Sequence, residues 1–312
     1  MSRILTSSGA DFIAAARPTF GVDSPSTLAA FRTGKGAANA GPLVGPVIIN
    51  EIMYHPPDII TSISTNDDTL NEYLELYNPT TSPVPLFDPL NPGSTWRITN
   101  AVEFTFAPGT AVAAQGYLLV VSFNPKTDTN TLDAFRAKHA VPLSVPITGP
   151  WDGKLANGGE TIDLLRPDAP QAPPHPDAGF VPYVRVEKVK YSNTAPWPTP
   201  ADGTVPSLQR LDPVAYGNDH VNWYADAPSP GRANGHIEIN SAGTANNNLV
   251  LSFVALPGRA YTVQAREAVA DGTWTNLAKF AAASGAVTRE FSDPLRGPGG
   301  QRYYRLVSPA GP

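Results

Sequence analysis

Residues 47–54 are apolar or β-branched at nearly every position, with Asn50 and Glu51 as the polar interruptions before the breaker His55-Pro56-Pro57. A short apolar run ended by prolines predicts a β-strand. Residues 72–78 alternate instead: Glu72, Leu74, Leu76 and Asn78 fall on one face, and Tyr73, Glu75 and Tyr77 on the other, until Asn78-Pro79 stops the pattern. Alternation with period two predicts a strand in a sheet with one buried side.

Carried along the chain, the same reading predicts short strands at residues 96–99 and 102–106, a turn at Pro108-Gly109, and a central strand at residues 116–121. Residues 132–141 place Leu132, Phe135 and Ala140 near helical spacing, which predicts a short helix as an excursion between strands. Asn157-Gly158 is a type I′ turn pair and predicts a hairpin between Leu155 and the apolar residues Ile162, Leu164 and Leu165. Residues 183–191 carry mixed polarity on both faces, as an edge strand does. Leu208 and Trp223 stand in otherwise polar segments, which predicts that both pack back onto the preceding sheets; Pro228-Ser229-Pro230-Gly231 then closes the domain.

Strand-like runs at residues 237–240, 249–256, 261–265, 274–280, 287–291 and 302–307, separated by Gly, Asn or Pro, predict a second, smaller sandwich. The domains read as 1–46, a linker or the remnant of an upstream domain; 47–234, a β-sandwich with a C-terminal extension; and 235–312. Residues 1–46 are rich in Ala, Gly, Ser and Pro, with isolated Phe12, Phe20, Leu28 and Phe31, and Gly34-Lys35-Gly36 lacks the rest of a phosphate loop. The run Arg17-Pro18-Thr19-Phe20-Gly21, then Gly34-Lys35-Gly36, then Gly45-Pro46-Val47 echoes the order of motifs around Pro228-Gly231 and Gly235. By that analogy residues 1–46 close an upstream domain, which leaves open whether Met1 is the true start.

Composition narrows the function. The 34 prolines, about twice the usual ~5%, lie between apolar runs, as rigid turns between strands do. With 22 basic against 27 acidic residues the net charge is −5, so phosphate-backbone binding has little electrostatic support and nucleic acid is not expected as a partner. Absence of cysteine removes disulfides and thiolate chemistry. No apolar run approaches the ~20 residues of a membrane span, and residues 1–9 lack the apolar centre of a signal peptide.

Few residues suggest chemistry. Glu51, Glu72 and Glu75 resemble a catalytic set of carboxylates, but Glu72 and Glu75 alternate onto opposite faces, and charges at a strand end commonly hydrogen-bond to neighbouring loops. The histidines His55, His139, His175, His220 and His236 are far apart and spell no metal motif, and no nucleophile elbow is present. Asn66, Asp67, Asp68 and Asn71 offer clustered oxygens that suit weak Ca²⁺ binding, although without EF-hand spacing; no other cofactor is expected. Trp151 and Trp197 lie in Pro/Gly-rich loops, where an indole can stack on a sugar ring, whereas Trp96 and Trp274 read as strand core.

Ile49-Asn50-Glu51-Ile52, the run Glu72 to Asn78, Trp96-Arg97-Ile98, Pro108-Gly109 before Gly116-Tyr117-Leu118-Leu119, and Asn157-Gly158-Gly159-Glu160-Thr161-Ile162-Asp163-Leu164 together resemble the bacterial lamin-tail domain family over residues 47–234. Residues 258–263, Trp274, Phe291-Ser292-Asp293-Pro294 and residues 302–306 are similar to C-terminal immunoglobulin/fibronectin-like modules of exported proteins. The resemblance implies an all-β chain: an immunoglobulin-like sandwich followed by a second, smaller β-sandwich. It implies no shared reaction or ligand. The expected function is a non-catalytic structural or binding module of a bacterial cell-surface or secreted protein, extracellular or in the envelope, its export signal supplied upstream. Its partners are then other domains of a longer surface protein, a protein or a polysaccharide. A carbohydrate-binding accessory module of an extracellular enzyme is the second reading, and a hydrolase assembled from distant residues the third.

Overall fold

The computed structural model describes residues 2–7, 9–17, 29, 41–234, 239–255, 260–267, 273–281, 283, 287–296 and 301–307. The described residues are mostly β, in several sheets, as the apolar patterning requires. Two compact units divide the chain, Met1–Gly231 and Arg232–Pro312.

Where composition suggested a linker, β1 (Ser2–Thr6) pairs antiparallel with β2 (Gly9–Ile13). Asp11 on β2 anchors this hairpin: it accepts the Tyr216 hydroxyl and the Asn218 amide, each at 2.7 Å, and faces Lys188 Nζ at 3.3 Å. Phe20, Leu28, Phe31 and Gly34-Lys35-Gly36 lie outside the described residues.

The first unit continues with β3 (Ile48–Met53), β4 (Tyr73–Tyr77), β5 (Arg97–Asn100), β6 (Val102–Thr105) and β7 (Tyr117–Val121). After the helix α1 (Thr129–His139) come β8 (Ile147–Thr148), β9 (Asp152–Gly153), β10 (Thr161–Pro167), β11 (Tyr183–Lys190), β12 (Ser207–Arg210) and β13 (Trp223–Asp226). They form a six-stranded sheet in the order β8-β7-β4-β3-β12-β13 and a five-stranded sheet in the order β9-β6-β5-β10-β11. The inner faces meet in one buried cluster: Ile49, Ile52, Leu74 and Leu76 from the first sheet pack with Ile98, Ile162, Leu164 and Val189 from the second, and Leu208 and Trp223 join them. Fully burying each such aliphatic side chain is worth about 1.5–3 kcal/mol.

The six-stranded sheet is covered on both faces, not on the one that alternation predicts. On its outer face Met53, Tyr73, Leu119 and Val121 are buried against Phe123 and α1's Phe135. The helix is an excursion between β7 and β8, as the spacing predicts, and it also covers this face of the sheet. Its C-terminal turn closes with Ala140 in the left-handed region, φ 50°, while the Arg136 guanidinium donates to the carbonyls of Pro142 at 2.7 Å and Val145 at 2.9 Å.

The predicted hairpin at Asn157-Gly158 does not form. The turn there is local, Gly159 N–H to Ala156 O at 3.2 Å, and the positive φ of 113° falls on Gly159. The flanking strands pair elsewhere: β9 with β6, and β10 with β5 and β11. Leu155 is buried in the core cluster, which pulls the chain across the end of the sandwich instead of back along β10.

The second unit holds β14 (Ser241–Ala245), β15 (Asn248–Ala255), β16 (Tyr261–Arg266), β17 (Thr275–Phe280), β18 (Val287–Pro294) and β19 (Tyr303–Val307). Two three-stranded sheets, β14-β15-β18 and β17-β16-β19, share a core around Phe253, whose ring lies 5.4 Å from Tyr261 and 5.2 Å from Phe280. Trp274 is only half-buried, with the Arg266 and Arg305 guanidinium groups 4.6 and 4.3 Å from its ring. Residues 237 and 238 of the predicted run 237–240 lie outside the described residues. Among the described residues no helix is long and apolar enough to cross a membrane.

Candidate functional site

β3 and β4 place two carboxylates directly across from each other on the outer face, Glu51 opposite Glu75, because the ladder slips by one residue at Asn50. Both are fully buried. Glu51 Oε1 accepts the Tyr73 hydroxyl at 2.6 Å, the Ser207 hydroxyl and the Ser229 backbone N–H at 3.0 Å. Glu75 accepts the Asn50 amide at 2.7 Å on Oε1 and the Gly231 N–H at 2.5 Å on Oε2. Burial raises the Glu51 carboxyl above its ordinary value, with the bonds from Ser207, Tyr73 and Ser229 pulling it back. These two acids hold residues 229–231 onto the sheet.

A second buried charge lies across the sheet edge, where Arg210 of β12 meets Glu187 of β11 at 2.6 Å with both side chains buried. Arg210 also donates to the Ile49 carbonyl of its own sheet at 3.2 Å, so its pairing with Glu187 ties the two sheets together. Gly217 is required beside this pair, since a Cβ there would lie 2.4 Å from Glu187 Oε1.

The third cluster stands at the end of the sandwich, where the chain leaves β3 and enters β4. His55 follows β3; its Nδ1 lies 2.6 Å from Asp202 Oδ1 and its Nε2 3.5 Å from Asp58 Oδ1. Asp202 is steadied by the Asn193 amide at 3.1 Å. The loop carrying Asp202 is docked by Gly203, whose N–H donates to the His55 carbonyl at 3.1 Å and whose φ is +67°. A Cβ on Gly203 would lie 3.0 Å from His55 Cε1, so glycine is what lets this backbone lie against the imidazole. Among the described residues, one ligand atom from each of His55, Asp58 and Asp67 lies within 4.8 Å of the other two.

Next to it Glu72 is fully buried, taking the Leu155 N–H at 3.0 Å on Oε2 while Oε1 has no partner. Burial pushes its carboxyl up to about 8, and the charges of Asp67 and Asp68 add to that while Leu155 and Lys154 oppose it. Asp67 Oδ1 and the Tyr54 hydroxyl are likewise buried without a partner among the described residues. Tyr54 stacks on Tyr191 with ring centroids 4.8 Å apart.

The residues singled out from sequence are distributed differently. Asn66, Asp67, Asp68 and Asn71 do not converge: Asn66 donates to Ser64 Oγ at 2.9 Å, Asp67 Oδ2 pairs with Lys154 at 2.9 Å, and Asp68 takes Lys138 and the Asn71 amide. Asn71 Oδ1 in turn faces His139 Nε2 at 3.1 Å. Around the short 3-10 turn Thr69–Asn71, Asp68 and Asn71 bond to Lys138 and His139 of α1, whereas Asp67 bonds to Lys154. Trp151 is buried in the core cluster, 5% exposed, which removes it as a stacking surface for a sugar. Trp197 is half-buried and packs on Trp223, ring centroids 6.0 Å apart. Sequence reading treated His55 as part of a proline breaker and missed Asp58 and Asp202. The local signal was His55-Pro56-Pro57-Asp58, while Asp202 is 147 positions away in sequence.

No family model, curated protein or solved structure matches this chain.

Proposed function

We propose that the chain is a non-catalytic structural or binding segment of a bacterial cell-surface or secreted protein, its first unit a lamin-tail-like sandwich of the immunoglobulin type. The observation that carries this reading is the use made of the buried carboxylates. Besides their side-chain donors, Glu51 accepts the Ser229 N–H and Glu75 the Gly231 N–H, and Glu72 Oε2 accepts the Leu155 N–H, so each acid holds backbone of the same unit. Acids occupied in this way hold loops on a sheet. Two β units in tandem, each with its own core, suit a string of modules.

Cell fractionation with an antibody to the chain, combined with affinity electrophoresis through gels containing envelope polysaccharides, tests the proposal. The expected result is protein in the envelope or medium fraction and unretarded migration. Cytoplasmic protein contradicts the surface role, and specific retardation moves the function to carbohydrate binding.

A further inference from the structure

We propose that the end of β3 is a binding site for a divalent metal ion of the zinc class, with His55, Asp58 and Asp67 as ligands and Asp202 orienting His55. The three candidate ligand atoms already lie within 4.8 Å of one another. Bonds of about 2.0–2.2 Å in a tetrahedral site set ligand atoms about 3.3–3.5 Å apart, so capture needs side-chain movements on the order of 1 Å. Asp58 is on the exposed side of the cluster and has room to make them.

The imidazole is set up for this role. Asp202 holds Nδ1 at 2.6 Å, which leaves Nε2 directed at Asp58. A carboxylate on one ring nitrogen fixes the tautomer that leaves the other free to bind a metal. Gly203 packs against the ring from the same loop and restrains its rotation.

Within the cluster Asp67 Oδ1 is buried without a partner, and outside the ligand set so are Glu72 Oε1 and the Tyr54 hydroxyl. Glu72 and Tyr54 are fully buried; Glu72 is within electrostatic reach of Asp67, and Tyr54 of Asp202. Unpartnered buried oxygens are rare in folded proteins, and a bound ion with its coordinated water answers them. Asp58, Asp67, Glu72 and Asp202 bring carboxyl groups together where Lys154, 60% exposed, pairs with Asp67 Oδ2 and leaves Oδ1 facing inward. The donor set, one imidazole and two carboxylates, suits Zn²⁺ better than the all-oxygen preference of Ca²⁺ or Mg²⁺.

The test uses the full chain stripped with a chelator and titrated calorimetrically with ZnCl₂, CaCl₂ and MgCl₂, with circular dichroism confirming that each variant is folded. One Zn²⁺ per chain is expected, with a melting temperature that rises with Zn²⁺ concentration. Asp58→Asn should weaken binding at least tenfold and Asp202→Asn about 10–100-fold, while His175→Gln, at an exposed histidine beside Asp177, leaves it unchanged. Absence of saturable Zn²⁺ binding overturns the site. Zn²⁺ binding undiminished in both Asp58→Asn and Asp202→Asn does so too, and tighter binding of Ca²⁺ than of Zn²⁺ overturns the metal class.

Discussion

Glu75 on β4 accepts the backbone N–H of Gly231 at 2.5 Å, so a strand buried in the middle of the six-stranded sheet holds the last residue of the first unit. Gly231 can be held there because it has no side chain: its φ is +77°, and a Cβ would lie 2.6 Å from Val145 Cγ2. Glu51, opposite Glu75, takes Ser229 in the same way. The closing segment is thus bonded to the sheet by two buried acids, and its proline-rich composition supplies the stiffness while the carboxylates supply the attachment.

Arg210→Met is expected to lower unfolding free energy by about 3–5 kcal/mol, because it leaves Glu187 buried without its counter-ion. Adding Glu187→Leu should recover much of that loss, since a buried ion pair replaced by apolar side chains of similar volume is often neutral. Urea denaturation of the two single variants and the double variant checks this. A double variant no more stable than Arg210→Met contradicts the account of the pair.

His139 makes stability depend on pH. Its ring is buried against Phe135 and Tyr73, and desolvation, with Lys138 adding, lowers its pKa to about 4, although Asp68 opposes this. Above the unfolded value of 6.5 the ring is neutral in both states and its contribution is complete. As pH falls from 6.5 toward 4 the unfolded chain binds a proton that the native ring refuses, and roughly 2–3 kcal/mol is lost. His139→Gln lacks this titration, so the stability gap between wild type and variant should narrow by that amount between about pH 7 and pH 4. Parallel stability curves contradict the assignment.

Trp223→Ala should cost about 3–5 kcal/mol. The indole is buried in the core shared by the two sheets, and its Nε1 donates to the Gly217 carbonyl at 2.7 Å. Thermal unfolding measures the loss, and a change under about 1 kcal/mol is too small for a core indole.

The strands of the first sheet were legible because their apolar content is local: β3, β4 and β7 each announce themselves within a few residues. Coverage of the outer face was not, since it depends on Phe135 of α1, far along the chain, packing on Tyr73. Turn chemistry misled in one place and was overlooked in another. Asn157-Gly158 looked like a hairpin, but the buried Leu155 and the positive φ of Gly159 direct the chain elsewhere. Asn246 and Asn247, with φ of 50° and 60°, make the hairpin between β14 and β15. β14 was missed because its sequence, SAGTA, has no apolar alternation. The polar clusters were the least legible part: His55 with Asp202, and Glu51 with Ser229, are joined across 147 and 178 positions.

That the buried carboxylates of β3 and β4 serve the fold by holding the closing segment is tested most directly by amide hydrogen exchange, resolved by NMR, at Ser229 and Gly231. In the wild-type chain both amides should be protected to a degree comparable with the core of β4. In Glu75→Leu the Gly231 amide should lose at least tenfold of that protection, because no acceptor replaces the carboxylate and a buried donor is left unpaired, about 1–3 kcal/mol. Rapid exchange of both amides in the wild type, or protection of Gly231 unchanged by Glu75→Leu, would contradict the account.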